Sequence, residues 1–229
     1  MKKTNLATLL IVLLAIPATL FLGSRMSGKW YYLTSTLIII ELLIPFFLAF
    51  EGRKPQAREQ VVVAVMCALA VAARVAIPIP NFKAIFGIIM ITGIAFGPQT
   101  GFLVGAVAAL SSNFFLSQGP YTPWQMMAYG AGGMLAGFLF RQGRLPRKSI
   151  AMGIVGFLGV AFFVGPLLDT CTLFLAPVAF NLKTVTAIYV SGFAVNISQG
   201  ISTFVVMFLL GKPLLEKLDR IKVKYGMTE

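Results

Sequence analysis

The residues able to do chemistry in this chain are concentrated in a few polar stretches set in apolar sequence. From Ser111 to Gly133 it reads SSNFFLSQGPYTPWQMMAYGAGG, and the middle, Gln118 to Gln125, carries amides, hydroxyls and aromatic rings without a charge. Asn113 lies one turn before it, and Asn196 lies in SGFAVNISQG. Arg74, Asn81 and Lys83 bracket AIPIPNF, and Asp169 ends another apolar run. Side chains of these types hold and orient a polar organic ligand by hydrogen bonding and stacking. Thr122, Pro123 and Gln125 also have the spacing of a helix start, with Thr at the N-cap, Pro at the first helical position and Gln at the third. That leaves Gln118, Tyr121 and Trp124 as candidate ligand contacts, with Gln125 able to join them. Buried amides in an apolar medium need partners. Asn113 and Asn196 therefore either bond to neighbouring helices or face a polar cavity. A charge at membrane depth marks a functional site, more weakly at the membrane rim, so Arg74 and Asp169 join the candidates.

Other chemistries are excluded by what the sequence lacks. There is no His, so His-based catalysis, His metal ligation and His proton relays are out. There is no G-x-x-x-x-G-K-[ST] for ATP, and no H-E-x-x-H or G-x-S-x-G. Seven acids are too few for a carboxylate relay or an acid-rich metal site. No enzyme, intrinsic cofactor or metal site is expected. Cys67 and Cys171 lie far apart in apolar sequence and imply no disulfide framework. The net charge of +12 fits positive cytoplasmic loops and anionic lipid better than nucleic acid.

The elements that carry these residues must cross a membrane. The 229 residues are 58% hydrophobic and 11% charged, against about 25% charged in soluble domains. Eight apolar segments are legible, near 5–23, 30–50, 60–77, 84–96, 99–117, 123–140, 149–175 and 185–211. The fold expected is an all-α polytopic membrane protein. Its parts are an N-terminal transmembrane hairpin over 1–50, a six-helix core over 51–211 and a basic cytoplasmic tail over 212–229, part of it a short interfacial helix. The first segment follows Lys2 and Lys3, but its apolar run is too long for a signal peptide and reads as an uncleaved helix. With both termini in the cytoplasm, fourteen of the nineteen Lys and Arg face inward; Arg25, Lys29, Arg74, Lys83 and Lys183 face outward. The polar loops then face outward too, which fits a ligand approached from outside.

Small residues recur at helical spacing. Ala64, Ala68, Ala72 and Ala76 put a smooth stripe on one helix, and such residues let helices approach closely in lipid. The stripe serves either a partner protein or packing within this subunit. Gly101 with Gly105, and Gly133 with Gly137, read as internal packing.

The stripe resembles the A-x-x-x-A feature of the first core helix in the substrate-binding S components of energy-coupling factor (ECF) vitamin transporters. NFKAIFGIIMITGIAFGPQTGFLVGA, SNFFLSQGPYTPWQM and KPLLEKLDRIKVKYG look like the subgroup assigned to cobalamin. The resemblance covers about residues 51–229 and, more loosely, the N-terminal hairpin, although the extra N-terminal helices depart from the six-helix pattern. It implies an outward pocket that captures a vitamin. It also implies docking through Ala64, Ala68 and Ala72 on a transmembrane coupling subunit bound to two ATPases. Cobalamin, with its many amides and apolar corrin face, suits contacts from Arg74, Asn81, Asn113, Gln118, Tyr121, Trp124, Gln125, Asp169 and Asn196. Other readings are an S component for another vitamin such as riboflavin or folate, a self-contained secondary transporter, and a membrane scaffold without a ligand.

Overall fold

The computed structural model describes residues 15, 18–19, 33–34, 36–41, 43–45, 57–76, 82–140, 143–175 and 181–226. It is all-α, with no strand among the described residues. From residue 57 onward, seven α-helices follow in order among the described residues: α1 (Ala57–Val75), α2 (Ile85–Phe96), α3 (Pro98–Leu116), α4 (Thr122–Phe140), α5 (Ser149–Gly159), α6 (Gly165–Leu175) and α7 (Leu182–Tyr225). A π-helical turn, Val160–Val164, joins α5 to α6. Pro166 follows it, and a proline has no N–H to give and collides with the carbonyl four residues back. Widening the turn accommodates both effects. Among the described residues, three stretches, Pro98–Leu116, Ser149–Leu175 and Leu182–Tyr225, are long and apolar enough to cross a membrane.

Every residue of α2 is buried, the fate of a helix apolar on all sides. At about 18 Å it is shorter than the roughly 30 Å hydrocarbon layer, and its ends are satisfied by protein. At its C-terminus Arg147 donates to the Ile94 carbonyl at 3.4 Å, and the Lys222 ammonium donates to that of Ala95. At its start the Lys83 N–H donates to Ser202 Oγ at 3.1 Å. Gly97, with φ +93°, makes the reversal into α3, whose first residue is Pro98.

Helices α2, α3 and α4 meet glycine to glycine. A Cβ on Gly101 would sit 2.7 Å from the Gly93 Cα, and one on Gly137 would sit 2.8 Å from Pro98. The two glycine pairs therefore pack internally, as their spacing implies. Helix α1 buries Val63, Met66 and Ala70 against this core. Among the N-terminal residues described, Ile39 and Leu43 are buried with Phe102 and Ala106, and Thr19 donates to Glu41 at 2.7 Å.

The end of the chain departs from the sequence reading. In place of a span and a separate interfacial helix, α7 runs unbroken for 44 residues, with Pro213 inside it. Leu215 and Leu218 bury against the core, and Asp219 pairs with Arg147 at 3.2 Å. These contacts carry the helix on past the proline. Exposed Phe114, Phe115, Phe162, Leu182 and Val190 give the bundle an apolar exterior, as a lipid-facing surface requires.

Candidate functional site

At one end of the bundle, α1, α3 and α4 enclose a connected polar network. Arg74, in the last turn of α1, donates from Nη1 to Ser112 Oγ at 2.5 Å and to Asn113 Oδ1 at 2.9 Å. Its Nη2 reaches Gln125 Oε1 at 3.4 Å. Asn113 Nδ2 donates to Thr122 Oγ1 at 3.0 Å and to Gln125 Oε1 at 2.9 Å. Thr122 donates in turn to Gln118 Oε1 at 2.9 Å and accepts from the Gly119 N–H at 3.2 Å. Under the guanidinium lies the Tyr129 ring, 5.3 Å away, which meets Phe86 edge-on at 4.7 Å. Ser112, Asn113, Thr122 and Tyr129 are buried.

Local sequence explains how these groups converge. Asn113 faces inward one turn before the end of α3, and Ser117 then leaves the helix with φ 148°, in a region that L residues avoid. The short reversal sets the start of α4 beside the end of α3. The helix start is not built as the spacing implies. Gln125 turns its amide oxygen to Asn113 and Arg74, not back to the helix start. Thr122 ties the loop to α3 through Gln118 and Asn113. Tertiary partners outcompete the local cap because the Gln125 oxygen completes the hydrogen bonding of Asn113 and reaches Arg74, groups that are costly to leave unpaired in an apolar bundle.

The other candidates lie around this network. Trp124 stacks on Phe174 of α6, with ring centroids 5.6 Å apart, and its buried indole N–H has no partner. Tyr121 donates to the Ser117 carbonyl at 2.9 Å. Asp169 and Asn196 form a second buried unit, with Asn196 Nδ2 donating to Asp169 Oδ2 at 2.7 Å. Gly192 and Gly165 admit these side chains, since a Cβ on Gly192 would meet the Asp169 carboxylate and one on Gly165 would meet the Asn196 amide. No hydrogen bond among the described residues joins this pair to the Arg74 network. Asn81 lies outside the described residues. Lys83 begins the next helix approach, and burial, then the charge of Arg74, lowers its ammonium pKa below the ordinary value.

Ser112 and Tyr129 belong to the network although sequence reasoning passed over them. A lone tyrosine in the Gly-rich run AYGAGG was the available signal. The alanine stripe is exposed: Ala64, Ala68 and Ala72 point away from the core. They line a shallow groove of about 540 Å³ with Val71, Val107 and Phe115, between α1 and α3.

Residues 54–216 match the family model described as ECF-type riboflavin transporter, S component. The chain belongs to this family. The S component also resembles a UPF0397 protein of Clostridium perfringens (strain SM101 / Type A). The two are 25% identical over 159 residues, covering 66% of this chain and 79% of the relative. No solved structure matches. As a member of an S component family, it is a substrate-binding membrane subunit of an ECF transporter.

Proposed function

We propose that this S component captures a vitamin from outside the cell and delivers it through an ECF module made of a coupling subunit and two ATPases. The observation that carries the reading is the buried, uncharged-acceptor network of Asn113, Thr122, Gln125 and Ser112 around Arg74, built by three helices at one end of an apolar bundle. Such a network supplies the few convergent polar groups that orient a ligand in an otherwise apolar site. Asn81, Gln118, Tyr121, Trp124, Asp169 and Asn196 complete the proposed ligand-facing set. The positive-inside distribution puts both termini in the cytoplasm, and so this end of the bundle outside.

Cobalamin is the first reading for the ligand: amide-rich edges suit Asn113, Gln125 and Gln118, and an apolar face suits Trp124. Riboflavin is the second, favoured by the name of the matching family; its ring edge offers donors and acceptors to the same amides. The exposed Ala64, Ala68 and Ala72 are the proposed docking face for the coupling subunit, and residues 1–50 an appended hairpin on the core of 51–211. The test is titration of the full chain in detergent with each vitamin, followed by Trp fluorescence; the chain has two tryptophans. Saturable binding of one vitamin, and uptake of it only when the module is co-expressed, is the expected result. Uptake by the lone chain would favour a secondary carrier instead.

A further inference from the structure

The hydrogen bonds of Arg74 are unevenly distributed. Nη1 is saturated, with contacts of 2.5 Å to Ser112 and 2.9 Å to Asn113. Nη2 has only a long 3.4 Å contact to Gln125. The buried Nε–H has no partner. Nε and Nη2 form one edge of the guanidinium plane, with two parallel N–H bonds spaced to grip both oxygens of a carboxylate or phosphate. All three acceptors around this cation are neutral, and no carboxylate pairs with Arg74 among the described residues. Tyr129 covers one face of the plane at 5.3 Å. The protein thus orients the guanidinium, uses one end of it, and leaves the fork edge poorly satisfied.

We infer that the Nε/Nη2 edge of Arg74 receives an anionic group, a carboxylate or a phosphate ester, carried by the captured ligand. The inference rests on the vitamin-binding reading and sharpens it. A purely structural Arg would be expected to use its fork, since a buried N–H without a partner costs free energy. An anion on this edge would displace the long Gln125 contact, while Gln125 keeps its bond from Asn113. Lys83 adds positive charge at this end: burial first, and the charge of Arg74 second, lower its ammonium pKa below the ordinary value. Two uncompensated cations at the pocket end draw in an anion. Cobalamin fits this demand through its phosphodiester, whereas riboflavin is uncharged and meets it only as its 5′-phosphate.

The experiment uses the full chain in phospholipid-free detergent, with inorganic phosphate as the probe against chloride at matched ionic strength. Phosphate is expected to raise the Tm of the parent and of Lys83→Gln, and to lose this effect in Arg74→Gln. Arg74→Lys, which keeps the charge without the fork, should respond weakly and serves if the Gln variant fails to fold. Riboflavin and its 5′-phosphate form a matched pair. Arg74→Lys should weaken the anionic member by about 10- to 100-fold and the neutral one far less. An equal phosphate response in parent and Arg74 variants, or none in the parent, overturns the inference. Phospholipid that co-purifies with the parent but not with Arg74→Lys, without a phosphate response, would assign the fork to a lipid headgroup and also overturn it. Tight vitamin binding indifferent to Arg74 sinks this anion site alone. A phosphate response through Arg74 with no vitamin bound sinks the vitamin reading instead.

Discussion

Thr122 joins the loop to the bundle through one oxygen. It accepts from Asn113 and Gly119 and donates to Gln118. Thr122→Ala strands buried partners and should cost about 1–3 kcal/mol, while Thr122→Ser keeps the hydroxyl and should cost much less; thermal melts in detergent decide this. Trp124 should separate binding from stability. Its indole stacks on Phe174 and holds an unpaired buried N–H, so Trp124→Ala should weaken vitamin binding by about 3- to 10-fold from lost stacking. An unchanged dissociation constant would reduce Trp124 to a packing residue. Lys83 gives a pH signature. Burial and Arg74 hold its pKa below the ordinary 10.5 in the folded state. Below that lowered pKa both folded and unfolded chains are protonated, and folding bears the full penalty. As pH rises through it toward 10.5 the folded state sheds its proton first and the penalty is relieved. The stability of the parent should therefore rise relative to Lys83→Gln across that alkaline window.

Helix α1 has two faces with different tolerances. Val63, Met66 and Ala70 are buried in the core, whereas Ala64, Ala68 and Ala72 are exposed along a groove. Ala68→Trp should leave Tm and vitamin binding of the isolated subunit unchanged while blocking uptake with the module, because a large ring holds helices apart in lipid. Lost binding with assembly intact would mean that the face serves this chain's own pocket. On α4 the opposite holds. A Cβ on Gly133 would run into the Gly101 carbonyl and sit 2.7 Å from Ile89. Gly133→Ala should thus destabilise by about 1–3 kcal/mol, as overpacking does, measured by loss of Tm.

The whole molecule is polarised from end to end. One end carries the Arg74 network. At the other, Arg147, Asp219 and Lys222 fasten the C-terminal part of α7 to the last carbonyls of α2. Basic residues gather at this second end, and the proposed orientation, which rests on the positive-inside rule, has it in the cytoplasm. With Cys67 replaced by Ala, a cysteine at exposed Pro146 should be shielded from impermeant thiol reagents added to intact cells and react once they are opened. Rapid labelling from outside would invert the topology and turn the Arg74 network toward the cytoplasm.

Class and many elements were legible in the sequence because membrane insertion acts on local composition. A run apolar enough to sit in hydrocarbon declares itself residue by residue, which is why α2 to α6 lie where the apolar segments do. The polar candidates Arg74, Asn113 and Gln125 were legible for the same reason, as misfits in apolar runs. Their partnership was not, because Arg74 lies 39 residues from Asn113 and 51 from Gln125. Only the packing of α1 against α3, and of α3 against α4, decides that they meet, and that Gln125 abandons a local cap for them. The same packing decides which face of α1 is left bare, since its alanines suit either burial or docking. Pro213 is the opposite case. Local rules end a helix there, but Leu215, Leu218 and Asp219 find partners on the bundle that carry α7 through it.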